Sequence, residues 1–283
     1  MTRYPPPDGL PQGTRIGRTA LRVDDLEEVR GFYQDVVGLD VLHHADDSCT
    51  LGVEETPLLV LERNETGRKR QRSSAGLFHN AFRVPSREAL GDALVRIRER
   101  WRLSGASDHW VSEALYLRDP EENGVELYRD FPRSEWPLDD DGTVRIGTEP
   151  LGLEHLEAAA SDRERLPPGT DVGHVHLEVR SLDAFSECYV EASGFEVQET
   201  VAGAQFVSAG GYHHHLGANT WGRRTEPAGG RGLAWFEVVL PETAGLEGLR
   251  ERLAATSYTV VETADGLSVT DPDGMEVRFR VEA

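Results

Sequence analysis

Polar and apolar positions alternate along this chain in two periods, and the two periods take turns. IGRTALRV (16–23), GLFHNAFRV (76–84), VGHVHLEV (172–179) and GLAWFEVVL (232–240) alternate almost strictly, so each reads as a strand with one face buried. A stretch with helical spacing follows each: DLEEVRGFYQDVVG, SREALGDALVRIRERW, SLDAFSECYVEASG and AGLEGLRERLAATS. Asp24 or Asp25 can cap the first of these helices and Ser86 the second. Short strands come next: LDVLHHAD, SCTLGVE and PLLVLER; SEALYLRD and GVELYRD; FEVQETV, AQFVSAGG and HHHLGANTW; TVVETA, GLSVTD and MEVRFRV. The chain therefore reads as four copies of one βαβββ unit, an α+β pattern. Copies two and four share a late turn, DPEENG (119–124) and DPDG (271–274), each ahead of a final strand.

The repeat sets the expected boundaries. Residues 1–14, rich in Pro and Gly, form an arm; 15–130 hold copies one and two; 131–170 are a linker; 171–283 hold copies three and four. The linker is rich in Pro, Asp, Glu and Arg and is long enough to cross the molecule. LGLEHLEAAA within it can form a short helix.

Two histidine-bearing stretches suggest chemistry. Gly210 to Trp221, GGYHHHLGANTW, reads as a strand with Tyr212, His214, Leu216 and Ala218 on one face and His213, His215, Gly217 and Asn219 on the other. His214 then points to the helices, unless a bulge beside Gly211 reverses the faces. In DVGHVHLEV (171–179), Val175, Leu177 and Val179 alternate with His174, His176 and Glu178. A histidine triplet is also what an exposed loop looks like, but two strands offering inward imidazoles make a metal pocket.

Composition narrows the partners. The formal net charge of the 283 residues is -20, with 50 Asp+Glu against 30 Lys+Arg, and this argues against nucleic acid. The dispersed acid and low aromatic content resemble proteins of salt-loving organisms. Cys49 and Cys188 are expected as free thiols in a reducing cytoplasm. The N-terminus lacks the apolar stretch of a signal peptide, and no run suits a membrane span. There is no P-loop, GxGxxG, CxxC or GxSxG pattern.

DLEEVRGFYQDVVGLDV and the DP turns resemble the vicinal oxygen chelate superfamily. SDHWVSEALYLRDPEENGVELYRDFPRSEW and FVSAGGYHHHLGANTW resemble its catechol-2,3-dioxygenase-like, four-module members. The resemblance covers nearly the whole chain and implies two cup-shaped, half-open barrels, with ligands on the first and last strands of modules. The first-strand positions are then Arg18, His79, His174 and Trp235. The last-strand positions are Glu126, His215 and Arg278, and copy one has only PLLVLE there. His79, Glu126, His174 and His215 form the ligand pool, three binding at once, with His213 as the alternative to His215. Two imidazoles and a carboxylate suit Fe(II), with Mn(II), Zn(II) and Ni(II) as alternatives. Each of these side chains alone could equally be a satisfied polar group in an open barrel.

Whether these residues meet depends on pairing. If modules pair in sequence order, each cup holds half a site; if modules two and three face each other, the four converge, which is the expectation here. Two subunits of a homo-oligomer could also complete the site. His109 is a candidate base toward a phenolic substrate, or else a loop histidine. Tyr128 shares a face with Glu126 and either bonds bound oxygen or packs at the mouth. His176 stands behind His174; Asn219 and Trp221 border the pocket; His43, His44 and His155 lie on the surface. The resemblance implies extradiol cleavage of a small aromatic diol by dioxygen. A glyoxalase-like isomerase with four protein ligands, and a non-catalytic binding protein, remain the alternatives.

Overall fold

The computed structural model describes residues 9–140 and 142–282. Most of the expected arm, residues 1–8, lies outside them; its described end is tucked in, with Leu10 fully buried and its N–H on Gly194 O.

The first module comprises β1 (Arg15–Val23), α1 (Leu26–Phe32), β2 (Asp40–His44), β3 (Ser48–Val53) and β4 (Thr56–Arg63). The second has β5 (Gly76–Arg83), α2 (Arg87–Arg100), β6 (Gly105–Asp108), β7 (Ser112–Arg118) and β8 (Gly124–Asp130). The intervening segment carries β9 (Glu149–Pro150) and α3 (Leu153–Glu157). The third module has β10 (Asp171–Glu178), α4 (Leu182–Ser186), β11 (Glu196–Val201), β12 (Ala204–Ser208) and β13 (Leu216–Asn219). The fourth has β14 (Gly232–Leu240), α5 (Thr243–Ala254), β15 (Val260–Glu262), β16 (Gly266–Thr270) and β17 (Glu276–Val281).

The helices start where their caps stand. Asp25 accepts from the Glu28 N–H, Ser86 from Ala89 and Ser181 from Ala184. Modules one and three continue α1 and α4 into a π-helical turn (Tyr33–Val37, Glu187–Ala192). Each turn gives way to a left-handed glycine, Gly38 at φ +97° and Gly194 at φ +88°.

The sheets do not follow sequence order. Modules two and three share a nine-stranded sheet, β11-β12-β13-β10-β5-β8-β7-β6-β9; modules one and four share an eight-stranded one, β15-β16-β17-β14-β1-β4-β3-β2. At each centre two opening strands run antiparallel, β5 with β10 and β1 with β14. Sequence neighbours meet through helices and turns instead. Tyr33 donates to Asp119, and Tyr189 to Asp271, the aspartates of the two shared DP turns. Arg96 of α2 donates to the carbonyls of Val36 and Val37, and Arg252 of α5 to that of Ser193. One hydrophobic cluster joins the layers and includes Val175, Leu177 and Val179, the face of β10 away from its histidines.

Residues 131–170 are packed rather than a free linker. Trp136 and Val144 bury against Val111 and Tyr212, β9 extends the sheet beside β6, and α3 lies on α2. A Cβ at Gly91 would stand 2.6 Å from Leu156 O, so the glycine admits α3. Cys49 and Cys188 are free and buried. Among the described residues no helix is long and apolar enough to cross a membrane.

Candidate metal centre

The register of the nine-stranded sheet brings three ligand atoms together. His176 pairs with His79 and His174 with Ala81 across β10 and β5; Glu126 on β8 pairs with Ala81 from the other side. The small Ala81 lets the Glu126 carboxylate reach across β5. Glu126 Oε2 lies 2.9 Å from His79 Nε2 and 3.1 Å from His174 Nε2, and the two nitrogens are 3.3 Å apart. All three side chains are buried.

These spacings fit a divalent metal. Bonds of about 2.1 Å at right angles put neighbouring ligand atoms about 3.0 Å apart, against about 3.4 Å for a tetrahedron. The observed triangle is closer to one face of an octahedron. The protonation states agree. Burial lowers His174 to about 4 against the pull of Glu126, so its imidazole is neutral at pH 7. Burial raises Glu126, but the facing imidazoles of His174 and His79 hold it well below the usual carboxylate range. A buried carboxylate between two imidazole nitrogens is a donor set for a cation.

A second histidine chain leads in from behind. His213 Nε2 lies 3.0 Å from Asp130 Oδ1, and His213 Nδ1 lies 2.8 Å from His214 Nδ1. The carboxylate only accepts, so His213 donates through Nε2–H; in the neutral tautomer its Nδ1 accepts from His214 Nδ1–H. His214 Nε2 is left with a free lone pair. The His214 ring lies 4.1 Å from that of His174 and lines the cavity over the ligand triangle. Burial first, then His174 and His213, push its pKa well down.

The opposite wall carries His109 and Tyr116. His109 Nδ1 is 2.7 Å from Gly147 O, so it is the protonated nitrogen, and Nε2, 2.7 Å from Tyr116 Oη, accepts the phenol proton. Burial, and then Glu126, raise the Tyr116 phenol well above its ordinary value. These groups enclose a cavity of about 380 Å³ together with Phe78, Val201, Phe206 and Trp221. Ile146, Gly147 and Thr148, from the segment expected as a linker, supply one wall.

The expected site residues thus fall into three groups. His79, Glu126 and His174 converge, and His109 and His176 line the same cavity. His176 Nε2 accepts from Asn219, which fixes the ring as a wall rather than a free base. His213, His215 and Tyr128 stand elsewhere. His215 Nδ1 accepts from the Ala209 N–H and its ring lies against Tyr212, so it does not reach the triangle. The Tyr128 hydroxyl meets that of Tyr212 at 2.8 Å, behind the floor. The cause lies at Gly210 and Gly211, both left-handed at φ +64° and +66°. They fold residues 209–215 into a turn, the strand begins only at Leu216, and His214 faces the cavity instead of the helices. The expected strand from Gly210 is corrected accordingly. The sequence reading missed His214 and Tyr116. The possible bulge beside Gly211 signalled the first; nothing local signals that Tyr116 on β7 pairs with Glu126.

Comparisons with known proteins agree with this architecture. Residues 15–127 match the model of the Glyoxalase/Bleomycin resistance protein/Dioxygenase superfamily. Over 270 residues, 92% of this chain and 95% of the other, the sequence is 39% identical to catechol-2,3-dioxygenase of Bacillus subtilis (strain 168). The chain belongs to this superfamily. A biphenyl-2,3-diol 1,2-dioxygenase 3 of Rhodococcus globerulus is 29% identical over 120 residues, 41% of this chain and 63% of that one. Two solved structures share the superfamily fold. One is a dioxygenase-like protein of Bacillus subtilis subsp. subtilis str. 168, with TM-score 0.64, 12% identity, and 94% and 84% of the chains covered. The other is a point mutant of glyoxalase I from Zea mays, with TM-score 0.60, 15% identity, and 95% and 94% covered.

Proposed function

We propose that this protein is a metal-dependent extradiol dioxygenase that opens a catechol-type ring beside its two hydroxyls. The observation that carries this is the buried triangle of two imidazoles and one carboxylate at the base of a largely apolar cavity. Likeness to the Bacillus subtilis enzyme over most of its length makes the chain an extradiol dioxygenase-like oxidoreductase. His79, His174 and Glu126 would hold the metal, which we take to be Fe(II). Bound there, it would supply Lewis-acid and redox chemistry toward the diol and dioxygen.

The chain's own residues manage protons and water. Both atoms of dioxygen enter the product and one ring C–C bond breaks, so protons are only borrowed and returned. His214 Nε2, its lone pair directed by the Asp130–His213 chain, takes a proton from a diol hydroxyl. Tyr116, kept neutral by burial, is held on the cavity wall by the bond its one phenol proton makes to His109 Nε2. Phe78, Phe206 and Trp221 flank the ring and limit water. An isomerase of this fold would use a fourth protein ligand; His213 and His215, the sequence candidates, both bond elsewhere.

The test is oxygen uptake with catechol after anaerobic loading with Fe(II), beside Glu126→Ala. Uptake with a yellow ring-opened product, lost in the variant, is expected. Metal binding without oxygen use across several catechols would turn the reading to an isomerase. Tight binding of a small aromatic without metal would turn it to a binding protein.

A further inference from the structure

Beyond the ligand triangle, the cavity wall is apolar on one side. Phe78, Val111, Ile146, Val201, Phe206 and Trp221 form it, and among the described residues no lysine or arginine lines any part. The single charged side chain other than Glu126 is Glu199, on β11 at the far end of that wall. Glu199 accepts the Ile146 N–H at the joint between β11 and the covering segment, within electrostatic reach of Arg145 and Asp139. The cavity volume of about 380 Å³ lies within the range of pockets for drug-sized molecules, about 300–1,000 Å³, so one six-membered ring leaves room.

A ring substituent must occupy that room. With both diol oxygens toward His79, Glu126 and His174, a side chain on the ring runs along Phe206, Val201 and Trp221 toward Glu199. A carboxylate there lies on an apolar wall beside a second carboxylate, with no cation among the lining residues to take its charge. An alkyl or aryl group instead removes apolar surface from water. We propose that this cavity selects vicinal diols bearing an uncharged apolar substituent and rejects those bearing a carboxylate, with Glu199 as the discriminating residue. The inference rests on the ring-cleavage reading for the diol, and on wall chemistry for the substituent.

The test compares 4-propylcatechol with 3-(3,4-dihydroxyphenyl)propanoate, which match in chain length, on the Fe(II)-loaded full chain. The expected kcat/KM ratio favours the propyl compound by about tenfold, the size of setting a partly solvated charge on an apolar wall beside a like charge. Along the methyl, ethyl and propyl series kcat/KM should rise about three- to fourfold per methylene. Glu199→Gln should narrow the ratio, and Glu199→Arg should raise kcat/KM for the propanoate more than tenfold relative to the propyl compound. A wild-type ratio within threefold, or a ratio unmoved by Glu199→Arg, overturns the proposal. If no diol is turned over, ring cleavage itself fails. The same pair titrated by calorimetry into Zn(II)-loaded protein then still decides the substituent preference, with equal affinities counting against it.

Discussion

The two sheets are built alike, yet one encloses a ligand set and the other closes itself. The nine-stranded sheet places His79 and His174 at the first-strand positions; the eight-stranded sheet places Arg18 and Trp235 there. Each holds a buried carboxylate, Glu126 in one and Glu237 in the other. Glu237 accepts from the Arg18 backbone N–H, Nε and Nη2, the last at 2.5 Å, and from Arg280 Nε at 3.3 Å. Arg278 covers the Trp235 ring at 4.0 Å, and Trp235 Nε1 donates to Glu62. Guanidinium carries a permanent charge and only donates, so it neutralises the carboxylate for good. The His174 imidazole, lowered by burial, offers a lone pair instead, so the other carboxylate still calls for a cation. The superfamily fold supplies the positions, and the charge type of two side chains decides whether a metal can enter.

The largest effect should come from removing the carboxylate of the open cup. Glu126→Ala is expected to lower both Fe(II) affinity and kcat/KM by more than about 100-fold, beyond the loss typical of an outer partner. Metal analysis after dialysis and oxygen uptake read both. Retained stoichiometric metal would break the contrast between the cups.

Acid should separate the cups next. His174 has a folded pKa of about 4 against about 6.5 unfolded, so the unfolded chain binds more protons between those values. Metal-free protein should therefore lose stability as pH falls from about 6.5 to 4, by about 3 kcal/mol from His174 alone. His176, His214 and His215, all lowered by burial, act in the same direction. Glu237, lowered by Arg18 against burial, loses its contribution only below the ordinary carboxylate range. Urea melts across pH check this, and a flat profile from 6.5 to 4.5 would contradict buried neutral histidines.

Packing behind the strands gives a smaller contrast. A Cβ at Gly173 would stand 1.7 Å from Tyr128 Oη, whereas at Gly17, its counterpart on β1, the nearest atoms are 2.8 Å away. Gly173→Ala should cost about 1–3 kcal/mol, as overpacking does, and Gly17→Ala less. Equal midpoint shifts would mean the Tyr128–Tyr212 pair yields without cost. Glu237→Ala should cost about 1–2 kcal/mol, below the ~3–5 of a fully buried pair because Arg18 is one-third exposed. Its bound metal should stay unchanged, and a loss of metal would tie the closed cup to the site.

Much of this architecture can be read from local pattern. Alternation found the opening strand of every module, and Asp25 and Ser86 cap the helices that follow. His79, Glu126 and His174 could be named together because the family resemblance marks first and last strands as ligand positions, and all three sit in regular strands. His214 was not, because two left-handed glycines interrupt the period-two rule just before it. Tyr116 and the wall at Ile146 to Thr148 were not, because both depend on contacts across the sheet or over it.

The sequence by itself determined the repeat, the charge and the donor types along each opening strand. Those are properties of residue type and short-range spacing, where backbone geometry dictates the face. Only the tertiary structure decided that module two meets module three, that Ala81 leaves room for Glu126 to reach His174, and that His214 rather than His215 turns inward. Strand partners far apart in sequence are chosen by the burial of whole faces, and no local period encodes that choice.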